Sequence, residues 1–434
     1  MVELFKSQIK GENRVLIVGF GKEGKSTYNW IRNNLPCLKT GVSDKNHKAL
    51  ESIGHNDNTE IYGGDNHLKA IDKYNVIIKS PGIKLNPEIT KNKTVLTQTG
   101  LFIKRFSKQI TGVTGTKGKS TTASLITHFL KSYDKNAVLL GNIGIPAFDM
   151  LNGISDDTLI VYELSAHQLK DVKHSPHIAV LLNIFPEHLD FFENFEKYRE
   201  AKLNIFKYQT PNDISINGLL FGSKYFDDDD LQYIAGKLAG NPDIFKKVRD
   251  LTPLKGNHNI FNIIAAMAAV THSGITHEMC LKVLPDFNTL PHRLEFIGEV
   301  NGVKYYNDSI STVPQATIAA VKSLKNVDVL LLGGFDRGLD YSGLTAFLPS
   351  STVKYIFFNG KAGTVMYNLL KNRSGKIRLV QTLNIADAVN RIKNLKGIKT
   401  VLLSPAAASY DAFHNFEHRG DTFRHLVLAQ KQEQ

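Results

Sequence analysis

Residues 109–122 of this 434-residue chain read QITGVTGTKGKSTT, and no other stretch limits so narrowly what the chain can fold into. A short apolar approach runs into glycines at Gly112, Gly115 and Gly118, then Lys119, Ser120 and Thr121, and then a helical pattern over residues 123–131. The order is strand, glycine-rich turn, helix. Glycines let successive backbone N–H groups turn toward one point, and the first turn of the helix adds partial positive charge there. A lysine and a hydroxyl stand where a triphosphate and its Mg²⁺ need them. The stretch reads as an ATP-binding loop in an α/β domain whose sheet is mostly parallel.

A second loop competes for that reading. The apolar run 15–18 enters Gly19-Phe20-Gly21-Lys22-Glu23-Gly24-Lys25-Ser26, and a helical pattern continues to about residue 34. Gly19, Gly21 and Gly24 fit the dinucleotide pattern G-x-G-x-x-G, while Gly19, Gly24, Lys25 and Ser26 fit the Walker A pattern. Taken strictly this is the better Walker match, because Val113 stands at the first glycine position of the other loop.

The strands downstream of each loop separate them. After Gly24, a strand ends near Asp44, placed as a ribose- or base-binding acid would be, and another ends in Ser80-Pro81-Gly82. These suit a Rossmann-like half that grips a nucleotide diphosphate; the triplet of glycines alone also fits a turn chosen only for close helix packing. After Gly118, a strand ends in Glu163 and another leads into Asn183-Ile184-Phe185-Pro186-Glu187-His188. Strand ends converge on one crevice in an open parallel sheet, so Glu163 and His188 are expected to face Ser120, and oxygen ligands from Ser120 and Glu163 suit Mg²⁺. By itself His188 reads more readily as a structural histidine. By itself Lys202, in a helical Tyr198-Arg199-Glu200-Ala201-Lys202 run, reads as a solvated charge. Asn259 falls near the N-cap of an apolar helix over 260–270, and the acidic run 227–230 reads as a solvated loop.

From residue 290 the pattern restarts with strands expected at 303–306, 329–332, 355–358 and 400–403, interleaved with helices. This is a third α/β domain, as the length also suggests at ~150 residues per domain. Its loops 333–338 and 404–409 come directly after strands and are candidate substrate loops. Lys and Arg number 53 against 41 Asp and Glu, a net +12 that raises a nucleic-acid reading. The lysines are spread out and no nucleic-acid motif accompanies them, so a field attracting anionic nucleotides explains the charge as well. No apolar run approaches the ~18 residues of a membrane span, the first ten residues carry Glu3 and no leader-like apolar core, and only Cys37 and Cys280 are present. A cytoplasmic protein without membrane or nucleic-acid partners is expected.

Nine segments in order carry a resemblance: TGTKGKST at 114–121, GNIGIP at 141–146, YELS at 162–165, NIFPEHLD at 183–190, YREAKL at 198–203, GNHN at 256–259, LPHR at 290–293, NDS at 307–309 and SPAAASYDAFHNFEHRG at 404–420. Together they resemble the Mur ligase family over essentially the whole chain, and the closing stretch is most similar to its glutamate-adding members.

The resemblance implies three domains: a Rossmann-like UDP-substrate domain at 1–93, a central P-loop ATPase-type domain at 94–289, and a Rossmann-like domain at 290–434 that binds the amino acid and closes over ATP. It implies a monomer that phosphorylates the carboxylate of UDP-N-acetylmuramoyl-L-alanine with ATP and lets the amine of glutamate attack the acyl phosphate. Carried over, Gly115, Thr116, Lys117, Gly118, Lys119, Ser120 and Thr121 hold ATP, with Lys119 on the transferred phosphoryl group. Ser120 and Glu163 hold one Mg²⁺, and His188 a second. Lys202 aligns with the lysine that the family carbamylates, which turns an ammonium into an anionic metal-binding or orienting group. Asn259 lies near adenine, and Arg293 and Asp308 contact ATP from the third domain. Gly19, Gly21, Gly24, Asp44 and Ser80 hold UDP, Asn142 and Ser165 lie near the muramoyl substrate, and Thr312, Arg337, Ser409 and Phe416 form the amino-acid pocket.

Two positions depart from the glutamate-adding pattern. Ile310 stands where a lysine is usual after the NDS segment, and Arg337, preceded by Asp336, stands where a lysine is usual in the Gly-Gly loop. Both lie near the incoming amino acid in the family, so D-glutamate has L-glutamate or another amino acid as its rival. From other classes, an oxidoreductase built on Gly19 to Gly24 and a nucleic-acid-dependent ATPase are the alternatives.

Overall fold

A computed structural model describes residues 1–141, 145–221, 226–254, 256–287, 291–324 and 326–430. The chain forms two compact units, Met1–Thr252 with Asn257–Phe287, and Pro253–Gly256 with Asn288–Gln434.

The first unit holds two five-stranded sheets. One contains β1 (Arg14–Val18), β2 (Lys39–Asp44), β3 (Thr59–Gly63), β4 (Val76–Lys79) and β5 (Thr94–Leu96) in the order β3-β2-β1-β4-β5. The other contains β6 (Ile110–Thr114), β7 (Ala137–Gly141), β8 (Leu159–Glu163), β9 (Ile178–Leu181) and β10 (Ile214–Asn217) in the order β10-β9-β6-β8-β7. Every pairing in both is parallel. Parallel sheets are covered on both faces, which is why the inner strands are unbroken apolar runs such as Val15, Leu16, Ile17 and Val18, all buried. Both glycine loops leave the central strand of their sheet, β1 or β6, where the strand order reverses and crevices open.

The two sheets share a core. Trp30 from the helix Lys22–Asn34 meets Phe148 with ring centroids 5.1 Å apart, and Phe102 meets Tyr162 at 5.6 Å. The expected division after residue 93 falls immediately before β5, which pairs with β4 in the first sheet.

The second unit is a six-stranded sheet of β11 (Glu295–Val300), β12 (Val303–Asn307), β13 (Val329–Gly333), β14 (Tyr355–Asn359), β15 (Arg378–Gln381) and β16 (Thr400–Leu403), ordered β11-β12-β16-β13-β14-β15. Apolar cores lie on both faces. The sheet is mixed, because β11 runs antiparallel to β12. Sequence pattern does not betray this strand, whose half-exposed edge carries no continuous apolar run.

Two local expectations are corrected. The acidic run 227–230 is not a loop: Asp227 caps the helix Asp228–Ala239 and exchanges reciprocal bonds with Asp230, a capping box in which the carboxylates complement the helix N-terminus. The apolar helix starts earlier than expected, at Asn257 rather than at residue 260, so Asn259 lies within its first turn. Among the described residues no helix is long and apolar enough to cross a membrane.

Candidate active site

The loop after β6 is built from its own backbone outward. Gly118, at φ +88, takes the left-handed conformation that opens the helix Lys119–Lys131, and a Cβ there would collide with the Asn262 side chain. Thr116 fastens the loop: its hydroxyl accepts from Phe185 N at 2.9 Å and lies 3.1 Å from the Tyr198 hydroxyl, while Thr116 N donates to Asn183 O. Asn183 and Lys117 exchange two bonds, and Lys117 Nζ pairs with Glu187 at 2.7 Å. Lys119 folds back, donating to Gly115 O and Thr116 O at 3.0 and 3.1 Å, so its charge stands over the loop. Ser120 and Thr121 are buried in the first helical turn.

Glu163 is fully buried at the end of β8, in register with Val113 of β6 and so beside the strand that feeds the loop. Leu164 N donates to Val113 O, and Thr114 Oγ1 donates to Leu164 O, which fixes this strand end to the loop. Ser165 caps the short helix Ala166–Leu169 in a capping box with Gln168.

Lys202 overturns its reading as a solvated charge. It is 1 % exposed, donates to Gly115 O at 2.8 Å and lies 5.0 Å from the Tyr198 ring. Burial, and then the neighbouring Lys119 charge, push its pKa down to about 6, so near neutral pH most of this amine is uncharged. His188 has a left-handed backbone (φ 56), and its ring lies 5.1 Å from His167 and 6.3 Å from Tyr198. Burial, with His188 and Lys202 nearby, pushes His167 down to about 4. The second sheet therefore gathers Lys119, Ser120, Glu163, His188 and Lys202 around one loop.

Among the described residues no three or more His, Cys, Asp or Glu form a ready-made metal cage. Mg²⁺ bound to a nucleotide keeps phosphate and water ligands and asks for only one or two protein oxygens, so the donor set of Ser120 and Glu163 fits it. Sequence reasoning passed over Asn262, which accompanies Asn259 (Nδ2 to Oδ1, 3.1 Å) against Gly118. A lone asparagine within Ile260, Phe261, Ile263 and Ile264 was the available signal.

In the first sheet, Gly19 (φ +91) and Gly24 pack so closely that a Cβ on Gly24 would collide with Gly19 O. Ser80 Oγ donates to that same carbonyl at 2.8 Å. The Asp44 carboxylate accepts from Phe20 N at 2.5 Å and from Asn46 N at 2.7 Å, so it shapes the loop as well as standing where a ligand acid would. Asn142 lies outside the described residues.

The second unit gathers its expected residues separately. Asp308 is buried and accepts from Ser404 Oγ at 2.7 Å and Leu294 N at 3.1 Å; burial raises its pKa to about 6. Arg293 is exposed and immediately precedes Leu294, at the entrance to β11. Arg337 is exposed and donates to Thr312 O at 2.8 Å. Ser409 is buried and Phe416 half-buried, its carbonyl accepting from Ser309 Oγ. Sequence reasoning missed Arg419, a buried guanidinium donating to Ser309 Oγ and O and to the carbonyls of Ala407 and Ala408. It ties the 307–309 and 404–409 loops together, and its place on the buried stripe Arg419, Gly420, Phe423 and Val427 was the signal.

Similarity to known proteins covers both the loop and the whole chain. The sequence profile of the Mur ligase middle domain matches residues 113–220, which span both the loop and Lys202. A protein of Clostridium botulinum (strain 657 / Type Ba4), named UDP-N-acetylmuramoylalanine--D-glutamate ligase, is 31% identical over 470 residues, with 98% of each chain covered. A protein of the same name from Clostridium perfringens (strain 13 / Type A) is 30% identical, again with 98% of each covered. Among solved structures, the UDP-N-acetylmuramate-alanine ligase MurC of Thermotoga maritima superposes with a TM-score of 0.55 at 16% identity, covering 97% of this chain and 100% of that one. The MurF ligase of the same organism, in complex with ADP, gives 0.52 at 18% identity, covering 96% and 95%. These two share the fold.

Proposed function

This chain belongs to the Mur ligase family, and from that premise we propose that it is the ATP-dependent ligase that joins D-glutamate to UDP-N-acetylmuramoyl-L-alanine in peptidoglycan precursor synthesis. The observation that carries the reading is Lys202, a buried lysine hydrogen-bonded to the backbone of a phosphate loop, on the same segment the family profile covers.

The chemistry is set by the residues. A carboxylate is a poor electrophile until one of its oxygens becomes part of a phosphate leaving group, so ATP first yields an acyl phosphate and ADP. Glutamate's amine then attacks the acyl carbon, phosphate leaves, and the amine proton is released. Two anions must meet in the first step, and Lys119, held over the loop, supplies positive charge at the transferred group. Ser120 and Glu163 would hold one Mg²⁺ and His188 with a carbamylated Lys202 a second; such ions neutralise phosphate charge. The low pKa of Lys202 supports the carbamate: a neutral amine nitrogen can attack the carbon of CO₂, losing one proton and becoming an anion. Asn259 with Asn262 would face the base of ATP, and Arg293 and Asp308 would meet ATP from the second unit. The loop of Gly19, Gly21 and Gly24, with Asp44 and Ser80, would take UDP, and Ser165 and Asn142 the muramoyl part. Thr312, Arg337, Ser409 and Phe416 would hold glutamate, Arg337 gripping a carboxylate in the bidentate manner lysine lacks. The three-domain boundaries at 93/94 and 289/290, a monomeric state and a cytoplasmic location belong to the same proposal.

The test is phosphate release. It should require both UDP-N-acetylmuramoyl-L-alanine and an amino acid, and D-glutamate should outpace L-glutamate, D-aspartate and L-alanine. A preference for L-glutamate would trace to Ile310 and Arg337. Stimulation by nucleic acid, or tight NADH binding, would instead overturn the ligase reading.

A further inference from the structure

We propose that Glu23 is a positioning residue for the ligation, tying the loop that grips the substrate diphosphate, through Gln168, to the segment that carries Glu163. The proposal rests on the reading of the Gly19–Gly24 loop as the UDP site.

Glu23 lies between Gly21 and Gly24, in the first turn of the helix Lys22–Asn34, where an acid is favoured by the helix dipole but disfavoured by a bound diphosphate. Its side chain does not stand in solvent. Oε1 accepts from Gln168 Nε2 at 2.7 Å, and its backbone carbonyl accepts from Gln98 Nε2 at 3.2 Å and Thr27 Oγ1 at 2.8 Å. Oε2 is buried with no hydrogen-bond partner among the described residues, an unfavourable state that the fold retains.

Gln168 is itself fixed. Its Oε1 accepts from Ser165 N at 2.9 Å, and its own N donates to Ser165 Oγ at 3.2 Å. Ser165 lies two residues beyond Glu163, on a stretch bonded to Val113 and Thr114 at the root of the ATP loop. A second tie runs in parallel: Lys79, at the end of β4 beside Ser80, pairs with Asp171 at 2.7 Å. The short helix Ala166–Leu169 and its exit thus hold the segment that follows β1 and the end of β4. The burial that raises Glu23 to about 7 agrees with this use, since a partly neutral carboxyl repels a diphosphate less.

The ligation needs the substrate carboxylate, carried on one sheet, placed against a phosphate held on the other, and a misplacement near 1 Å is enough to slow such a step. Glu23 and Gln168 form a direct side-chain bond between those two holders.

The experiment is steady-state kinetics of full-length E23A, Q168A, E23A/Q168A, E23Q and G21V, each checked by thermal melting. E23A and Q168A should each lower kcat and raise the KM for UDP-N-acetylmuramoyl-L-alanine, together by about tenfold in kcat/KM, leaving the KM for ATP within about twofold. The double variant should lose no more than the worse single one, and E23Q, whose amide oxygen still accepts from Gln168, should recover to within about threefold of wild type. Multiplying losses in the double variant, or unchanged kinetics in Q168A, would overturn the coupling. Should E23A fail to fold, an impaired Q168A beside a competent E23Q decides for the proposal and the converse against it. G21V separates the premise: a Cβ at Gly21 meets nothing within 4 Å and its φ of −74° suits any residue, so valine fills only the open side of the loop. An unchanged UDP-substrate KM in G21V would remove the UDP-loop reading itself. A raised KM there, with multiplying losses at Glu23 and Gln168, would remove only the coupling.

Discussion

Lys202 shows what a single residue's surroundings impose. Its ordinary pKa is 10.5 and its value in the fold about 6, so the unfolded chain holds a proton that the folded chain gives up across that range. Stability therefore falls as pH drops from about 10.5 toward 6 and levels off below, because folding there must expel the proton or bury the charge. Lys202→Met, similar in length and always neutral, should stabilise the protein in CO₂-free buffer at pH 7 by about 1–2 kcal/mol, the usual scale of a stability–function exchange, while abolishing ligation. Thermal melts against pH check it; a gain that does not shrink as pH approaches 10 would assign the effect to packing. Lys202→Ala should lose activity and regain part of it with added acetate or formate, which can occupy the place of the carbamate; full activity in the alanine variant would end that role. The burial was partly legible, for Tyr198, Ala201, Lys202 and Ile205 keep the i, i+3, i+4, i+7 spacing of a buried face. A lysine on such a stripe reads as solvated only while the stripe is ignored.

Among elements, the proposed function divides the labour between the two glycine loops. Each leaves the central strand of a parallel sheet, so local pattern alone cannot tell them apart, and the strict Walker match at Gly19 to Ser26 favours the loop that the proposed function gives to UDP. The difference lies in the neighbouring strands: β8 and β9 bring Glu163 and the 183–188 segment to one loop, whereas β2 and β4 bring Asp44 and Ser80 to the other. That was legible, because strand ends can be traced along the sequence. Other features were not. β11 is a half-exposed edge with a bulge between Phe296 and Gly298, and Asp227 to Asp230 reads as a charge run until its three-residue spacing is recognised as a cap. From the loop assignment, Lys119→Ala should reduce ATP turnover by about 10³-fold or more, the scale of losing a charge that acts on the transferred group. Lys25→Ala should mainly raise the KM for the UDP substrate, by about tenfold, with kcat nearly kept. Kinetics on both substrates check the pair, and the opposite pattern would exchange the roles of the two loops.

For the whole molecule, the residues divide by chemical step. Those expected to activate the carboxylate, Lys119, Ser120, Glu163, His188 and Lys202, belong to the first unit, whereas those expected to present the amine, Thr312, Arg337, Ser409 and Phe416, belong to the second. Within the second unit Arg419 ties the 307–309 and 404–409 loops together without help from Arg337, which is exposed and hydrogen-bonds the Thr312 carbonyl. Removing Arg337 should therefore damage one step and spare the other. With UDP-N-acetylmuramoyl-L-alanine and ATP but no amino acid, reversible acyl-phosphate formation scrambles an oxygen label between the bridging and non-bridging positions of the ATP β-phosphate. Arg337→Ala should keep that exchange within about threefold of wild type while kcat/KM for glutamate falls about 100-fold, the loss expected when a bidentate carboxylate contact disappears. Lys119→Ala should lose both, since without the acyl phosphate nothing remains for the amine to attack. If Arg337→Ala also abolishes the exchange, the arginine acts on the phosphoryl transfer, and the amino acid must be recognised by other residues of the 404–416 stretch.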